Sequence, residues 1–142
     1  MTQRTIEELS GDECFALLGQ EVVGRLAFVD GDGPGAVPVN YGLAGEQIVF
    51  RVEPESHLRA VLEPRVAFEV DHLEPDTGSG WSVLVRGAGR EVPIDDVPDL
   101  LRQMHGHIPG PWAEGVHNVW VCITPTLVTG RRLTAPYVGD IF

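Results

Sequence analysis

Apolar residues recur first at helical spacing and then, from residue 24 onward, at alternate positions. Ser10 followed by Glu13 is a capping-box pattern, and Phe15, Leu17 and Leu18 supply an apolar stripe that Gly19 ends, so a short helix is predicted there. In 24–30 Leu26 and Phe28 point one way and Arg25, Ala27 and Val29 the other, as a half-buried strand requires, before the turn Gly31-Asp32-Gly33-Pro34-Gly35. The run 36–43 sets Val37, Val39 and Tyr41 against Pro38 and Asn40, and 47–52 sets Ile48, Phe50 and Val52 against Val49 and Arg51. Ala44-Gly45-Glu46 joins the two as a hairpin. Pro38 has no N–H to give a ladder, which places it at an edge or irregular point and leaves nearby backbone groups for a ligand.

Further on, 55–62 has helical spacing of Leu58, Val61 and Leu62 with Ser56 as N-cap, 65–73 alternates, and 81–92 reads as a long strand with glycines that let it bend. A third helix is predicted over 94–105, where Val97, Leu100, Leu101 and Met104 share a face, and 119–124 with 126–133 give one or two final strands. Six or seven strands with three short helices, spaced too closely for βαβ crossovers, predict a mainly β fold: one antiparallel barrel with peripheral helices. It forms a single domain over 1–142, with its core over about 10–133 and a short tail from Pro136.

A length of 142 residues with 43% hydrophobic content suits one core. No apolar run nears the roughly 20 residues of a membrane span, and MTQRTIEELSGDE lacks a signal-peptide pattern, so a soluble, cytoplasmic protein with no membrane partner is expected. The net charge of -11 argues against nucleic acid and demands that any anionic ligand find a local exception. Cys14 and Cys122 lie in apolar stretches without a paired motif and read as buried thiols.

Several candidate chemistries fall away. The glycine-rich 31–35 joins two strands and opens no helix, and Ser79 lacks the strand-turn-helix context of a nucleophile elbow. His105, His107 and His117 have no metal-ligand spacing, so no metal site is expected, and His72 reads as a hydrogen-bonded core or rim residue. Glu69 and Asp71 share a strand face without an acid–base partner, and a solvated or interface-facing edge accounts for them. What remains is Arg51 at a strand end, then Ser56 and His57 opening a helix, then Arg59. Hydroxyl, cations and unpaired N–H groups together could bind phosphate; an N-cap with surface charges explains the same residues, and spacing leaves both readings open.

The order of VPVNYGLAGEQIVFRVEPESHLRAVLEPRVAFEVD, SGWSVLVRGAGREV and VWVCITPTLVTGRRL resembles the pyridoxamine 5′-phosphate oxidase-like split barrels that bind flavin mononucleotide (FMN), most closely their short actinobacterial-type branch, over about Ser10 to Leu133. The resemblance implies a homodimer with two flavins at its interface. Positions matching Val39, Asn40 and Tyr41 run beside the flavin ring, those matching Arg51, Val52, Ser56, His57 and Leu58 surround its phosphate, and those matching Trp81, Ser82 and Val83 complete the pocket, often from the second subunit. Many relatives carry lysine where His57 stands here; histidine titrates near neutrality, so a weaker or pH-dependent FMN affinity is expected.

The function this implies is an FMN-dependent oxidoreductase that exchanges hydride with a small-molecule substrate, a step that needs no protein acid or base. Oxidation of pyridoxamine phosphate itself is disfavoured, because Arg131 and Arg132 are the sole remaining basic pair for a second phosphate. The alternatives are a non-catalytic module for flavin, the deazaflavin F420 or haem, with His57, His72 or His117 as axial ligand, or an interaction domain that has lost its cofactor.

Overall fold

The computed structural model describes residues 5–110 and 118–134. The elements run β1 (Thr5–Glu8), α1 (Gly11–Leu18), β2 (Val23–Asp30), β3 (Gly33–Ala44), β4 (Gln47–Val52), a 3₁₀ turn (His57–Ala60), β5 (Val66–Glu74), β6 (Ser79–Glu91), a 3₁₀ turn (Ile94–Asp96), α2 (Val97–Gln103), β7 (Met104–His105) and β8 (Val119–Thr134). All eight strands share one antiparallel sheet in the order β1-β8-β4-β3-β2-β5-β6, with β7 beside β3. A further pairing of β6 with β8 closes the sheet on itself, which is the split barrel of the expected mainly β class.

The alternation read along β2, β5 and β6 sends Leu26, Phe28, Phe68, Val70, Val83 and Val85 into the barrel. They meet Ile48, Phe50, Val121 and Ile123 from β4 and β8 in one cluster. Each such side chain, fully buried, contributes about 1.5–3 kcal/mol of hydrophobic stabilisation. α1 plugs one side: the Ser10 hydroxyl accepts from the Glu13 N–H, the Glu13 carboxylate accepts from the Ser10 N–H, and Cys14, Leu17 and Leu18 are buried beneath. Cys14 and Cys122 are both free and buried, as expected, and burial pushes both thiols up.

Four expectations are corrected. The strands number eight rather than six or seven, because β1, exposed throughout and lacking any apolar alternation, pairs with the end of β8, where Glu7 and Glu8 lie opposite Arg132 and Arg131, and because the two-residue β7 is also present. The helix expected over 55–62 is a single 3₁₀ turn: Val61 and Leu62 drop into the core, and the Leu62 carbonyl accepts from the Gly89 N–H instead of continuing a helix. The helix expected over 94–105 stops at Gln103, since Met104 and His105 pair with Ala44 and Leu43. Finally, 119–134 is one strand: the ladder slips one residue between Arg86 and Gly87, and the surplus Thr126 turns its hydroxyl onto the Arg86 carbonyl. The tail from Pro136 and His117 lie outside the described residues. No helix among the described residues is long and apolar enough to cross a membrane.

Close approach inside the barrel requires glycine at position 24 of β2, where a Cβ would lie 2.4 Å from the Phe68 ring. Gly24→Ala is expected to lower stability by about 1–3 kcal/mol through overpacking. Gly31→Ala, with nothing within 4 Å of the new carbon, serves as the control and should shift little. Urea unfolding of both variants checks this, and equal stability of the two would refute it.

Candidate functional site

β3 and β4 pair from Ala44↔Gln47 to Tyr41↔Phe50, and there they part. β3 stays with β2 from Asn40 to Gly33, while β4 stays with β8 through Val52. The outer edge of β3 over Gly33–Asn40 therefore carries no strand partner among the described residues, as the position of Pro38 anticipated. Between the parted strands lies a cleft of about 300 Å³, capped by the loop and 3₁₀ turn that follow β4.

The structure brings Val39, Arg51, Val52, Ser56, His57 and Leu58 together in this cleft. Ser56 accepts from the Leu58 N–H at 3.2 Å, so its hydroxyl does cap the turn. His57 is exposed and stands edge-on to Phe28, ring centroids 5.6 Å apart. Val37, Pro38, Glu53 and Glu55 line the cleft as well; of these the sequence pointed to Pro38 alone as a place for a ligand. For the two carboxylates the available signal was their place on either side of Pro54, in the loop that carries Ser56. Both are exposed, so solvent screens their repulsion of an anion.

The arginines are arranged differently from the expected cluster. Alternation along β4 turns Ile48, Phe50 and Val52 inward and Arg51 outward, where its guanidinium lies 4.6 Å over the Trp120 ring and donates weakly, at 3.5 Å, to the Pro109 carbonyl. Arg59 is turned away altogether: it pairs with Glu91 and donates to the Pro54 carbonyl at 2.7 Å. His57 is thus the one basic side chain in the cleft that neither stacks on Trp120 nor pairs with a carboxylate among the described residues.

Of the ring-side residues, Asn40 is half-buried opposite Val23 and does not line the cleft. The Tyr41 side chain offers no flat wall to the cleft; it is sunk in the core, edge-on to Phe68 at 5.1 Å, with its hydroxyl donating to the Leu18 carbonyl. Burial raises that phenol well above its ordinary value. Trp81 and Ser82 line a separate cleft of about 210 Å³ with Leu73, Gly80, Arg131 and Leu133, and Val83 is wholly in the core. One chain alone therefore does not join Trp81, Ser82 and Val83 to the β3–β4 cleft.

Two other titratable groups stand apart. His72 is a rim residue, bridging Glu21 at 2.9 Å and Glu74 at 2.7 Å, and those two hydrogen bonds raise it above its ordinary value. Glu69 and Asp71 face outward together from β5, with Arg25 of β2 3.8 Å from each. Partial burial, the hydrogen bond with Asp71 and the charge of Asp71 push Glu69 up to about 7, against the pull of Arg25. No group of three His, Cys, Asp or Glu among the described residues could hold a metal ion.

Comparison with known proteins places these features in a family context. The sequence model of the family described as "Pyridoxamine 5′-phosphate oxidase" matches residues 10–132. An uncharacterised Mycobacterium tuberculosis protein, Rv0080, is 30% identical over 139 residues, covering 93% of this chain and 88% of its own. The solved structure of an FAD-binding protein from Mycobacterium smegmatis superposes with a TM-score of 0.77 at 29% identity, covering 90% of this chain and 98% of that one. A Corynebacterium diphtheriae protein of unknown function superposes with a TM-score of 0.73 at 25% identity, covering 91% and 98%.

The Glu69 shift has a definite sign. Its folded value of about 7 stands above the ordinary 4.5, so the folded chain holds this proton more tightly than the unfolded one. The contribution is full below the unfolded value and is lost as pH rises through the folded one. Urea unfolding at pH 5 and pH 8 should show the native chain losing more stability with rising pH than Glu69→Gln, and parallel profiles would refute the shift.

Proposed function

The chain belongs to the pyridoxamine 5′-phosphate oxidase family, and from that premise we propose that it binds FMN at the β3–β4 fork and works as a flavin-dependent oxidoreductase on a small molecule. The observation that carries the proposal is the fork itself: the unpartnered edge of β3, the Ser56 turn and His57 converge on one cleft. A planar ring with an anionic tail fits such a place. The β3 edge supplies N–H and C=O groups for ring hydrogen bonds, while apolar Val37, Val39 and Val52 exclude water from the slot. His57, which lines the same cleft, is the side chain we assign to the phosphate. The FAD bound by the Mycobacterium smegmatis relative supports a flavin as the ligand.

A bound flavin supplies hydride acceptance and donation, and the chain's task is to hold it with one face open to the substrate. Hydride exchange calls for position more than for protein proton transfer, so the fork's part is to hold the ring in place.

We also infer a homodimer. Trp81 and Ser82 lie in a separate cleft from the fork, and Leu73, which lines that cleft with them, is exposed in the single chain. A second copy laid there would bring its Trp81 and Ser82 toward the fork.

The purified protein, incubated with FMN, FAD, F420 and haem in turn, should retain FMN and show two flavin absorption bands. A Soret band alone, or no retained pigment, would overturn the cofactor assignment. Loss of one charge-assisted phosphate contact should make His57→Ala bind FMN about tenfold more weakly, consistent with the roughly 1.5–3 kcal/mol of such a bond. Unchanged affinity would misplace the phosphate. Failure of both NADH and NADPH to bleach the bound flavin would count against turnover, and a monomer by light scattering against the dimer.

A further inference from the structure

On the outward side of β4, behind the fork, lies a second and larger cleft of about 700 Å³. Trp120, Val92, Pro93, Ile94 and Val97 give it an apolar lining, and the paired Arg59 and Glu91 line it as well. Ile94, on this apolar lining, is 84% exposed. Arg51 supplies the polar end. Its guanidinium sits over Trp120, makes one long hydrogen bond to a backbone carbonyl, and leaves the buried Nε without a hydrogen-bond partner. No carboxylate among the described residues pairs with it, whereas the neighbouring Arg59 is committed to Glu91.

In a chain with 21 acidic and 10 basic side chains, an arginine that pairs with no carboxylate among the described residues, beside an aromatic ring, is a local exception to the global field. A guanidinium held on an indole face presents planar donors to an anion from a fixed direction. The adjoining apolar lining would bury an apolar body, which removes Ile94 from water at the same time.

We infer that this second cleft binds a small organic anion, its carboxylate or sulfonate turned to Arg51 and its flat apolar body laid against Ile94, Val97 and Trp120. The site is distinct from the fork. Ile94 and Trp120 line this cleft and not the other, while Arg51 borders both.

Three probes with one indole body separate charge from shape: indole-3-acetate, indole-3-ethanol and tryptamine are anion, neutral molecule and cation. Calorimetric titration of the full chain should find the acetate bound at least roughly tenfold more tightly than the ethanol, with no measurable binding of tryptamine. Ile94→Asp places a like charge on the lining and should weaken the acetate about tenfold, whereas Ile94→Lys should hold or improve it. Position 94 is exposed, so neither change disturbs packing. Equal affinity for the three probes, no binding of the acetate, or an acetate affinity indifferent to the sign of the charge at 94 would overturn the inference. Should His57→Ala weaken the acetate while Ile94→Asp does not, the anion sits at the fork: this inference then fails and the flavin reading stands.

Discussion

Tyr41 holds open the parting of β3 and β4 on which the rest of the molecule depends. Its N–H donates to the Val22 carbonyl at 3.0 Å, its hydroxyl to the Leu18 carbonyl, and its ring lies edge-on to Phe68. A buried hydroxyl left unpaired costs about 1–3 kcal/mol, so the ring can leave this place only at a cost that few surface contacts offset. With β3 tied at Tyr41 to the α1–β2 connection and to the core, its first eight residues follow β2 and its last four follow β4. Burial keeps the phenol protonated, so the donor is present across ordinary pH.

As the proposed flavin site, the fork would let a chain of net charge -11 take an anion without a conspicuous basic cluster. Recognition there would fall mainly to the backbone. The free β3 edge, with Pro38 as the residue that could not have used a second ladder, presents fixed dipoles, and fixed dipoles carry no net charge that the global field could oppose. Side chains then add little: His57, the Ser56 hydroxyl committed to its turn, and two exposed carboxylates at the mouth.

Local rules carried much of the fold. The capping box at Ser10 and Glu13, the alternation of β2 through β6 and the turn at Gly45 are statements about neighbours, and each holds. Elements that depend on distant partners were not legible. β1 exists because β8 runs long enough to receive Thr5–Glu8, and β7 because Leu43 and Ala44 offer an edge. The 57–62 segment has helical spacing, yet Leu62 is claimed by Gly89, so spacing lost to a tertiary hydrogen bond. The site was legible as a stretch of chain and less so as a set of directions. Resemblance grouped Arg51 with His57, and both line the fork cleft, while the alternation of Ile48, Phe50 and Val52 starts Arg51 on the opposite face, with its guanidinium on Trp120.

That opposition makes β4 a partition between two clefts, with one cation on its border. A guanidinium stacked on Trp120 holds about 0.5–1 kcal/mol where exposed and about 2 where desolvated. A charge-assisted bond to a phosphate at the fork is worth about 1.5–3. The two are close enough that neither position of Arg51 dominates by energy alone, and the outward rotamer wins here because β4 alternation starts the side chain on that face. Arg51 therefore cannot be counted at full weight in both clefts. Under the proposed reading, anion affinity at the fork with Arg51 outward would rest on the β3 edge and His57.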